Sequence, residues 1–328
     1  MRAPNFWNER SVVSNLLVPV GVIVSSVAWV RAQTARPKEI KIPVLCVGNL
    51  VAGGAGKTPV ALSLAKRLQK RGSEVHFLSR GYGGRIRGPH RVDKTSDNAN
   101  DVGDEALLLA RIAPTWVSAN RAAGGCLAEI NGAQIVLMDD GFQNFSLAKS
   151  LSVLVLDSEY AFGNQRVMPA GPLRESLSCG FGRADVAVLL GGDNKKVIQA
   201  IPKEMPILNA NIAVESSFQG FEGRPVVAFA GIGRPEKFFG ILKTLDCSLV
   251  QSISFPDHYI YTTKEILGLR ERAENADAVL VTTEKDRIRF PQSLQHVAET
   301  VPVEVVWDDE SIVDTILSRV LTMQGGLG

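Results

Sequence analysis

Short apolar runs alternate with amphipathic stretches along most of this 328-residue chain. Residues 42–47 and 134–138 are apolar runs of strand length, whereas residues 59–70 repeat apolar positions at helical spacing. Strands that alternate with helices form mainly parallel sheets covered on both faces. The pattern therefore predicts an α/β fold.

The alternation breaks around residues 215–223 and starts again at residues 225–230. A chain of this length has two domains by default. We therefore expect a first domain over residues 32–220 and a smaller α/β domain over residues 221–328. The last helical stretch, near residues 311–321, fits against either domain.

Residues 12–30 form an uncharged, mostly apolar stretch between Arg10 and Arg31. Nineteen such residues are just long enough to cross a bilayer, although the polar, proline and glycine residues among them weaken a spanning helix. Three interpretations stay open: a membrane anchor that spans or lies in the interface, a buried core helix, and a cleaved signal peptide. We expect residues 1–31 to associate with a membrane.

Composition excludes some classes of function. The formal net charge is only +2, so the chain has no overall basic field for nucleic acid, and no nucleic-acid partner is predicted. The four cysteines lie far apart, without the paired spacing of a zinc site. Nothing in the pattern indicates a protein partner.

A glycine-rich segment joins the strand at residues 42–47 to the helix at residues 59–70. Such a loop turns its amide groups toward phosphate oxygens, and the following helix N-terminus adds positive potential. Lys57 would reach the β- and γ-phosphates of ATP, and the Thr58 hydroxyl would bind Mg²⁺. The predicted nucleotide-binding residues are Gly53, Gly54, Ala55, Gly56, Lys57 and Thr58. The first domain is thus predicted to be P-loop NTPase-like.

The loop departs from the general P-loop pattern, because Val51 stands where the first glycine is expected. Its GGxGKT core is shared with partition-type ATPases, but those carry a lysine at the position of Ala52. A glycine-rich turn without nucleotide is the remaining alternative.

Acidic residues follow the strand at residues 134–138. Asp139 and Asp140 are predicted at the carboxyl edge of the sheet, where a P-loop protein needs a carboxylate to orient its metal. Asp104 begins a helix with Glu105, so Asp104 is either a helix cap or a carboxylate aimed at the site. His258 is a lone loop histidine, which by itself is a weak indication of function.

A loop over residues 80–91 interleaves arginines with glycines. Arginines in this setting bind phosphorylated or otherwise anionic ligands. A solvated mobile loop explains the pattern equally well.

Nine segments together resemble the tetraacyldisaccharide 4′-kinase family of lipid A synthesis. They occur in the family's order and are spread over most of the chain. They are VGNLVAGGAGKTP (47–59), LSRGYGGR (78–85), VGDE (102–105), ANR (119–121), LMDDGFQN (137–144), PAGPLRE (169–175), FAGIGRPEKF (229–238), FPDHY (255–259) and TTEKD (282–286).

This resemblance implies transfer of the γ-phosphate of ATP to the 4′-hydroxyl of the disaccharide 1-phosphate precursor of lipid A. It also implies a two-domain protein on the cytoplasmic face of the inner membrane, held by an N-terminal hydrophobic helix. By motif match, Asp104 becomes the general base and His258 its hydrogen-bonded partner across the cleft. The rival is a P-loop ATPase that acts as a membrane-associated conformational switch, which the GPLRE and FPDHY segments disfavour.

The same match assigns further candidate residues. With Thr58, the metal candidates are Glu105, Asp139 and Asp140. The candidates for holding the anionic disaccharide are Tyr82, Arg121 and Arg174. Asn144 departs from the family, which usually has histidine there, so any role of that histidine is in doubt in this chain.

Overall fold

The structure, a computed structural model, describes residues 4–322 of the chain. Besides two short 3₁₀ turns, the described residues form thirteen strands and eleven α-helices. The strands are β1 (Val44–Gly48), β2 (Val75–Ser79), β3 (His90–Arg91), β4 (Thr115–Val117), β5 (Ile135–Asp139), β6 (Leu151–Asp157), β7 (Val186–Leu190), β8 (Ile207–Val214), β9 (Pro225–Ala230), β10 (Ser248–Ser254), β11 (Val279–Thr283), β12 (Glu299–Val301) and β13 (Val303–Trp307). The helices are α1 (Val12–Thr34), α2 (Lys57–Lys70), α3 (Ala99–Val102), α4 (Asp104–Ala110), α5 (Arg121–Ile130), α6 (Leu177–Phe181), α7 (Lys195–Ala200), α8 (Pro235–Leu242), α9 (Thr263–Asn275), α10 (Glu284–Ile288) and α11 (Glu310–Thr322).

Nine strands form one sheet in the order β13-β8-β7-β6-β1-β5-β2-β4-β3. All neighbours are parallel except β13 and β3, which pair antiparallel at the two edges. Val47 of β1 pairs with Asp139 of β5, so the strand that leads into the glycine-rich loop lies beside the strand that ends in aspartate. The predicted fold class, an α/β fold with a mainly parallel P-loop sheet, is confirmed.

Helices cover both faces of this sheet, because successive side chains of its buried strands point to opposite sides. Leu45 packs with Leu64 and Leu68 of α2 on one face, whereas Cys46 packs with Met138 on the other. The central strands are fully buried, which explains why they are continuous apolar runs in the sequence.

A second, four-stranded parallel sheet has the order β10-β9-β11-β12 and its own two apolar cores. The chain then returns to the first sheet. Val303 of β13 pairs with Val214 of β8, and Leu317 of α11 packs in the same core as α2. The last strand and helix therefore lie with the first sheet, while the predicted division at residues 31 and 220 stays a prediction.

Several short elements differ from the sequence-based expectation. The loop expected over residues 80–91 ends in β3, and the sequence patterns did not indicate β4, β8, β12 or β13. These strands are short or only partly buried, so they lack the apolar run that marks the central strands.

Helix α1 is long and apolar enough to cross a membrane, and within the described residues it is the one helix that meets this test. Only Ser14 and Gly21 are buried in it, so α1 is not a core helix. Its start is fixed by the Ser14 hydroxyl, which donates to the Ala170 carbonyl at 2.7 Å. Just after its end, the Lys38 amide donates to the Ser146 carbonyl at 2.9 Å.

Candidate active site

The glycine-rich loop connects β1 to α2, as the sequence predicted. Gly56 precedes α2 with a φ of 79°, and a Cβ there would lie 2.4 Å from the Leu190 side chain, so this position requires glycine. The buried Lys57 ammonium lies 3.4 Å from the Gly53 carbonyl and 3.8 Å from an Asp140 oxygen. The lysine thus folds back over the loop that would cradle phosphates.

Asp139 lies next to Thr58, whose hydroxyl donates to Oδ2 of the aspartate at 2.9 Å. The other oxygen, Oδ1, is buried and has no hydrogen-bond partner among the described residues. Burial, with the nearby charges of Glu105 and Asp140, raises the pKa of Asp139 to about 7. A buried carboxylate with a free oxygen and a raised pKa is a site that a cation would stabilise.

Asp140 faces the arginine predicted to hold substrate. Arg174 donates from Nη1 to Oδ1 at 2.8 Å and from Nη2 to Oδ2 at 3.2 Å, which is a two-pronged ion pair. Burial raises the pKa of Asp140, but the charges of Lys57 and Arg174 outweigh it and hold that pKa below its usual value. Asp140 is therefore already paired, unlike Asp139.

Asp104 is the first residue of α4, and Gly103 precedes it as the N-cap. Its carboxylate is not a helix cap but faces residues that follow strands of the four-stranded sheet. His258 Nδ1 lies 3.0 Å from Oδ2, and Arg289 Nε donates to the same oxygen at 2.5 Å. Burial raises the pKa of Asp104, but the His258 hydrogen bond and the charges of Lys285 and Arg289 hold it well below its usual range.

Two second-domain cations at this contact were missed by the sequence analysis. Arg289 is 4% exposed and also donates to the Gly231 carbonyl and to Asp286, which fixes its guanidinium. Lys285 donates to Glu105 at 2.9 Å. Burial raises the pKa of Glu105, but Lys285 outweighs it and keeps the pKa low. Lys285 lies within the TTEKD segment on α10, and Arg289 follows directly after that helix, so the segment signalled only the first of them.

A second contact joins the two domains beside the glycine-rich loop. A Cβ on Gly233 would lie 3.0 Å from the Gly54 amide nitrogen, so the loop after β9 passes directly over the phosphate loop. Arg234 and Lys237 both bind Oδ2 of Asp157, at 2.6 and 2.7 Å. This pairing was not predicted, because a strand-end aspartate and a helix-start lysine 80 residues apart carry no shared pattern.

The two remaining substrate candidates are Tyr82 and Arg121. The Tyr82 ring is 5.1 Å from the His258 ring. Arg121 is 3% exposed, donates to the Ser118 carbonyl at 2.6 Å, and leaves its Nε without a partner. Burial and the charge of Arg80 lower the pKa of Arg121 to about 10.

Asn144 stands apart from these groups. Its side-chain oxygen accepts from the Ser146 amide at 3.1 Å and the Ser146 hydroxyl at 2.9 Å, so it stabilises a local turn. The structure otherwise brings together every residue predicted for the site. The site is continuous from the phosphate loop to the Asp104–His258 pair. Glu105, next to Asp104 in the chain, lies close enough to Lys57 and Asp139 for their charges to interact.

Comparisons with known proteins agree with this arrangement. The family model of tetraacyldisaccharide-1-P 4′-kinase matches residues 13–322. The tetraacyldisaccharide 4′-kinase of Rhodospirillum rubrum is 47% identical over 327 residues, covering 98% of each chain. That of Paramagnetospirillum magneticum is 47% identical over 324 residues, covering 98% of this chain and 99% of the relative.

A solved structure is similar over nearly the whole chain. The crystal structure of LpxK from Aquifex aeolicus in complex with ATP is 27% identical and superposes with a TM-score of 0.75. The match covers 94% of this chain and 99% of the other. On the family model and these relatives, the chain belongs to the tetraacyldisaccharide-1-phosphate 4′-kinase family.

Proposed function

We propose that this kinase transfers the γ-phosphate of ATP to the 4′-hydroxyl of the disaccharide 1-phosphate precursor of lipid A at a membrane surface. The observation that carries the proposal is the meeting of Asp104 and His258 across the two domains, beside the loop that holds Lys57. A proton acceptor and a phosphate cradle are the two parts that transfer to a hydroxyl requires.

The phosphate side consists of the loop over residues 53–58 and the cation after it. Loop amides and the N-terminus of α2 bind the phosphates, and Lys57 neutralises charge on the transferred group. Gly233, packed over Gly54, covers the loop and limits access of water. Exclusion of water favours transfer to the sugar over hydrolysis.

Mg²⁺ fits the pair formed by Thr58 and Asp139, because Asp139 Oδ1 is buried and unpartnered. Mg²⁺ usually takes one or two protein oxygens and completes its shell with phosphates and water. When bound, the ion would neutralise charge on the phosphates. Glu105 and Asp140 are already paired with cations, so they would stabilise the ion through their negative charge and not as ligands.

The acceptor side consists of Asp104 and His258. Asp104 takes the proton of the 4′-hydroxyl, and His258, bonded to it through Nδ1, orients the carboxylate. The low pKa of Asp104 makes it a weak base. A weak base is sufficient, because phosphoryl transfer through a loose transition state depends mostly on positioning and charge neutralisation.

Three residues hold the acceptor. Tyr82 packs beside His258 and offers an exposed ring to the sugar. Arg174, fixed on Asp140, and the buried Arg121 supply positive charge for an anionic disaccharide.

The membrane side is α1, whose exposed side chains include Val12, Leu16 and Ile23, each more than half exposed. Apolar side chains on all sides of a helix favour insertion into hydrocarbon rather than contact with water. We propose that α1 holds the enzyme against the cytoplasmic face of the inner membrane, where its multi-acyl acceptor lies.

The test is transfer of label from γ-labelled ATP to a purified precursor of lipid A dispersed in detergent. Label at the 4′ position of the glycolipid is the expected result. Release of free phosphate alone, unaffected by the acceptor, would instead support the conformational-switch ATPase.

A further inference from the structure

A cavity of about 380 Å³ follows β2 and is lined by Arg80, Gly81, Tyr82, Gly83, Gly84 and Arg87. A smaller cavity beside it contains Asp104 and His258, and the two share Tyr82 and Gly83 in their walls. A ligand whose hydroxyl reaches Asp104 therefore has a second pocket within its own length.

The cavity carries positive charge that no protein group balances. Arg80 and Arg87 are exposed, and within residues 4–322 no carboxylate oxygen lies within 4.0 Å of either guanidinium. Arg121 is close enough for the charge of Arg80 to lower its pKa, and its buried Nε has no partner. Arg121 is 3% exposed, so its charge is poorly screened by water, and an anion bound beside it would be stabilised.

The other cations of the site are already matched. Arg174 is paired with Asp140, Arg289 with Asp104, and Lys285 with Glu105. The arginine between the two unmatched ones is matched as well, because Arg85 binds Asp101 at 2.6 Å. Of the three arginines over residues 80–87, only the two that line the cavity are therefore unpaired among the described residues.

Backbone contacts fix this loop relative to the reaction centre. The Arg85 amide donates to the Asn100 carbonyl at 2.9 Å, and the Arg87 carbonyl accepts from the Ala119 amide at 2.7 Å. A Cβ on Gly84 would lie 2.6 Å from the Asp101 carbonyl oxygen, so the loop packs tightly against the segment that leads into α4. The arginines are thus held at a set position beside Asp104.

We propose that Arg80 and Arg87 bind the phosphate monoester that the acceptor already carries at position 1, with Arg121 adding charge behind them. Guanidinium groups donate two parallel hydrogen bonds to a phosphate, which gives both affinity and orientation. This assignment rests on the proposed function and deepens it, because it makes the existing phosphate the group that selects and aligns the acceptor.

The test compares the acceptor with its counterpart that lacks the 1-phosphate, each dispersed in neutral detergent. R80M/R87M is expected to raise the KM of the phosphorylated acceptor by at least about tenfold, since hydrogen bonds between charged groups are being lost. The KM of the unphosphorylated acceptor and of ATP should stay near the wild-type values. R85M is the matched control, because it removes an arginine of the same loop whose charge is already paired.

Equal losses on both acceptors would overturn the assignment. So would a defect that appears only when anionic phospholipid is added, because the arginines would then bind lipid headgroups. Should R80M/R87M not fold, the single variants R80Q and R87Q answer the same question.

Direct binding of each acceptor without ATP separates this inference from the proposed reaction. The wild type could bind the phosphorylated acceptor more tightly, and the variant could lose this preference, while the wild type transfers no phosphate. That result would refute the proposed reaction but support the assignment of the pocket. No preference in the wild type would overturn the pocket.

Discussion

The phosphate-loop side of the site and the Asp104 side differ in how far apart their parts lie in the chain. Lys57 and Thr58 are neighbours on one turn, and Asp139 joins them from the adjacent strand. Asp104, by contrast, meets His258 and Arg289 from 154 and 185 residues away. The first side is built within one sheet, whereas the second joins the edge of the first sheet to segments that follow the second sheet's strands.

The largest expected effect is on the phosphate-loop side. Lys57→Met should lower kcat by roughly 10³–10⁵-fold, the scale on which a cation at the transferring phosphoryl group acts. Steady-state transfer to the detergent-dispersed acceptor measures it. Lys66→Met on the same helix is the control, because Lys66 is half exposed and pairs with Glu215 away from the site. A variant at position 57 that keeps a tenth of kcat refutes the P-loop assignment.

On the assembled side, Asp104→Asn should lower kcat by roughly 10²–10⁴-fold, because a general base is removed. The affinity for ATP should stay near that of the wild type. His258→Ala acts on the same step, so the double variant should lose far less than the product of the two single losses. Independent, multiplicative losses would show that the two residues do not act as a unit.

Thr58, proposed to hold Mg²⁺ together with Asp139, allows a sharper test of the phosphate-loop side. Thr58→Val keeps the shape of the side chain but removes the hydroxyl, so kcat at a fixed Mg²⁺ concentration should fall by roughly 10²-fold. Raising Mg²⁺ should recover part of the loss. Thr58→Ser, which keeps the hydroxyl, should stay close to wild type. A Thr58→Val variant with an unchanged Mg²⁺ dependence argues against this ligand.

Arg289→Gln tests the interdomain contact through pH. The charge of Arg289 lowers the pKa of Asp104, so its removal raises that pKa. If Asp104 works in its ionised form, the acidic limb of the kcat/KM profile moves to higher pH, while the alkaline limb stays in place. Arg270→Gln, on an exposed ion pair with Glu274, should leave the profile unchanged. A decrease of kcat/KM by the same factor at every pH would mean that Arg289 only stabilises the fold.

The smallest effect is expected from α1. Deleting residues 1–31 should lower activity on membrane-embedded acceptor by about tenfold, because the enzyme is no longer concentrated at the membrane. ATP binding should stay intact, and the protein should move to the soluble fraction. Detergent-dispersed acceptor should recover part of the loss. Because deletion also removes the Ser14 contact, Ile23→Asn with Val27→Asn is the milder variant, and exposed Ile130→Asn on α5 is its control. A truncated chain that stays fully membrane-bound and active contradicts the role.

The sequence predicted the local side in detail and the assembled side only by resemblance. Residues 53–58 can be recognised from the sequence because the strand, the glycines and the helix are contiguous. Asp139 can be recognised because it ends a fully buried apolar run. Asp104 carried no such mark, and its local pattern favoured a helix cap. Arg289 was missed, because its partner comes from another domain and no periodicity encodes that approach.

The return of the chain to the first sheet was unpredictable for the same reason. The antiparallel pairing of β13 with β8 depends on how two partly buried edge strands meet, and neither has a distinctive pattern of its own. Local physics thus predicts the fully buried central strands and the helix after the glycine-rich loop. Long-range packing decides which charges face each other across the cleft.

The anchoring of α1 at both ends has a consequence for membrane topology. A segment that crosses a bilayer delivers its two ends to opposite aqueous compartments. The start of α1 is fixed at Ala170 and the chain just past its end at Ser146, both on the same globular body. An inserted α1 therefore enters and leaves on one side and disturbs a single leaflet. We therefore expect the acceptor's sugar to be phosphorylated in the leaflet that lies against the globular body.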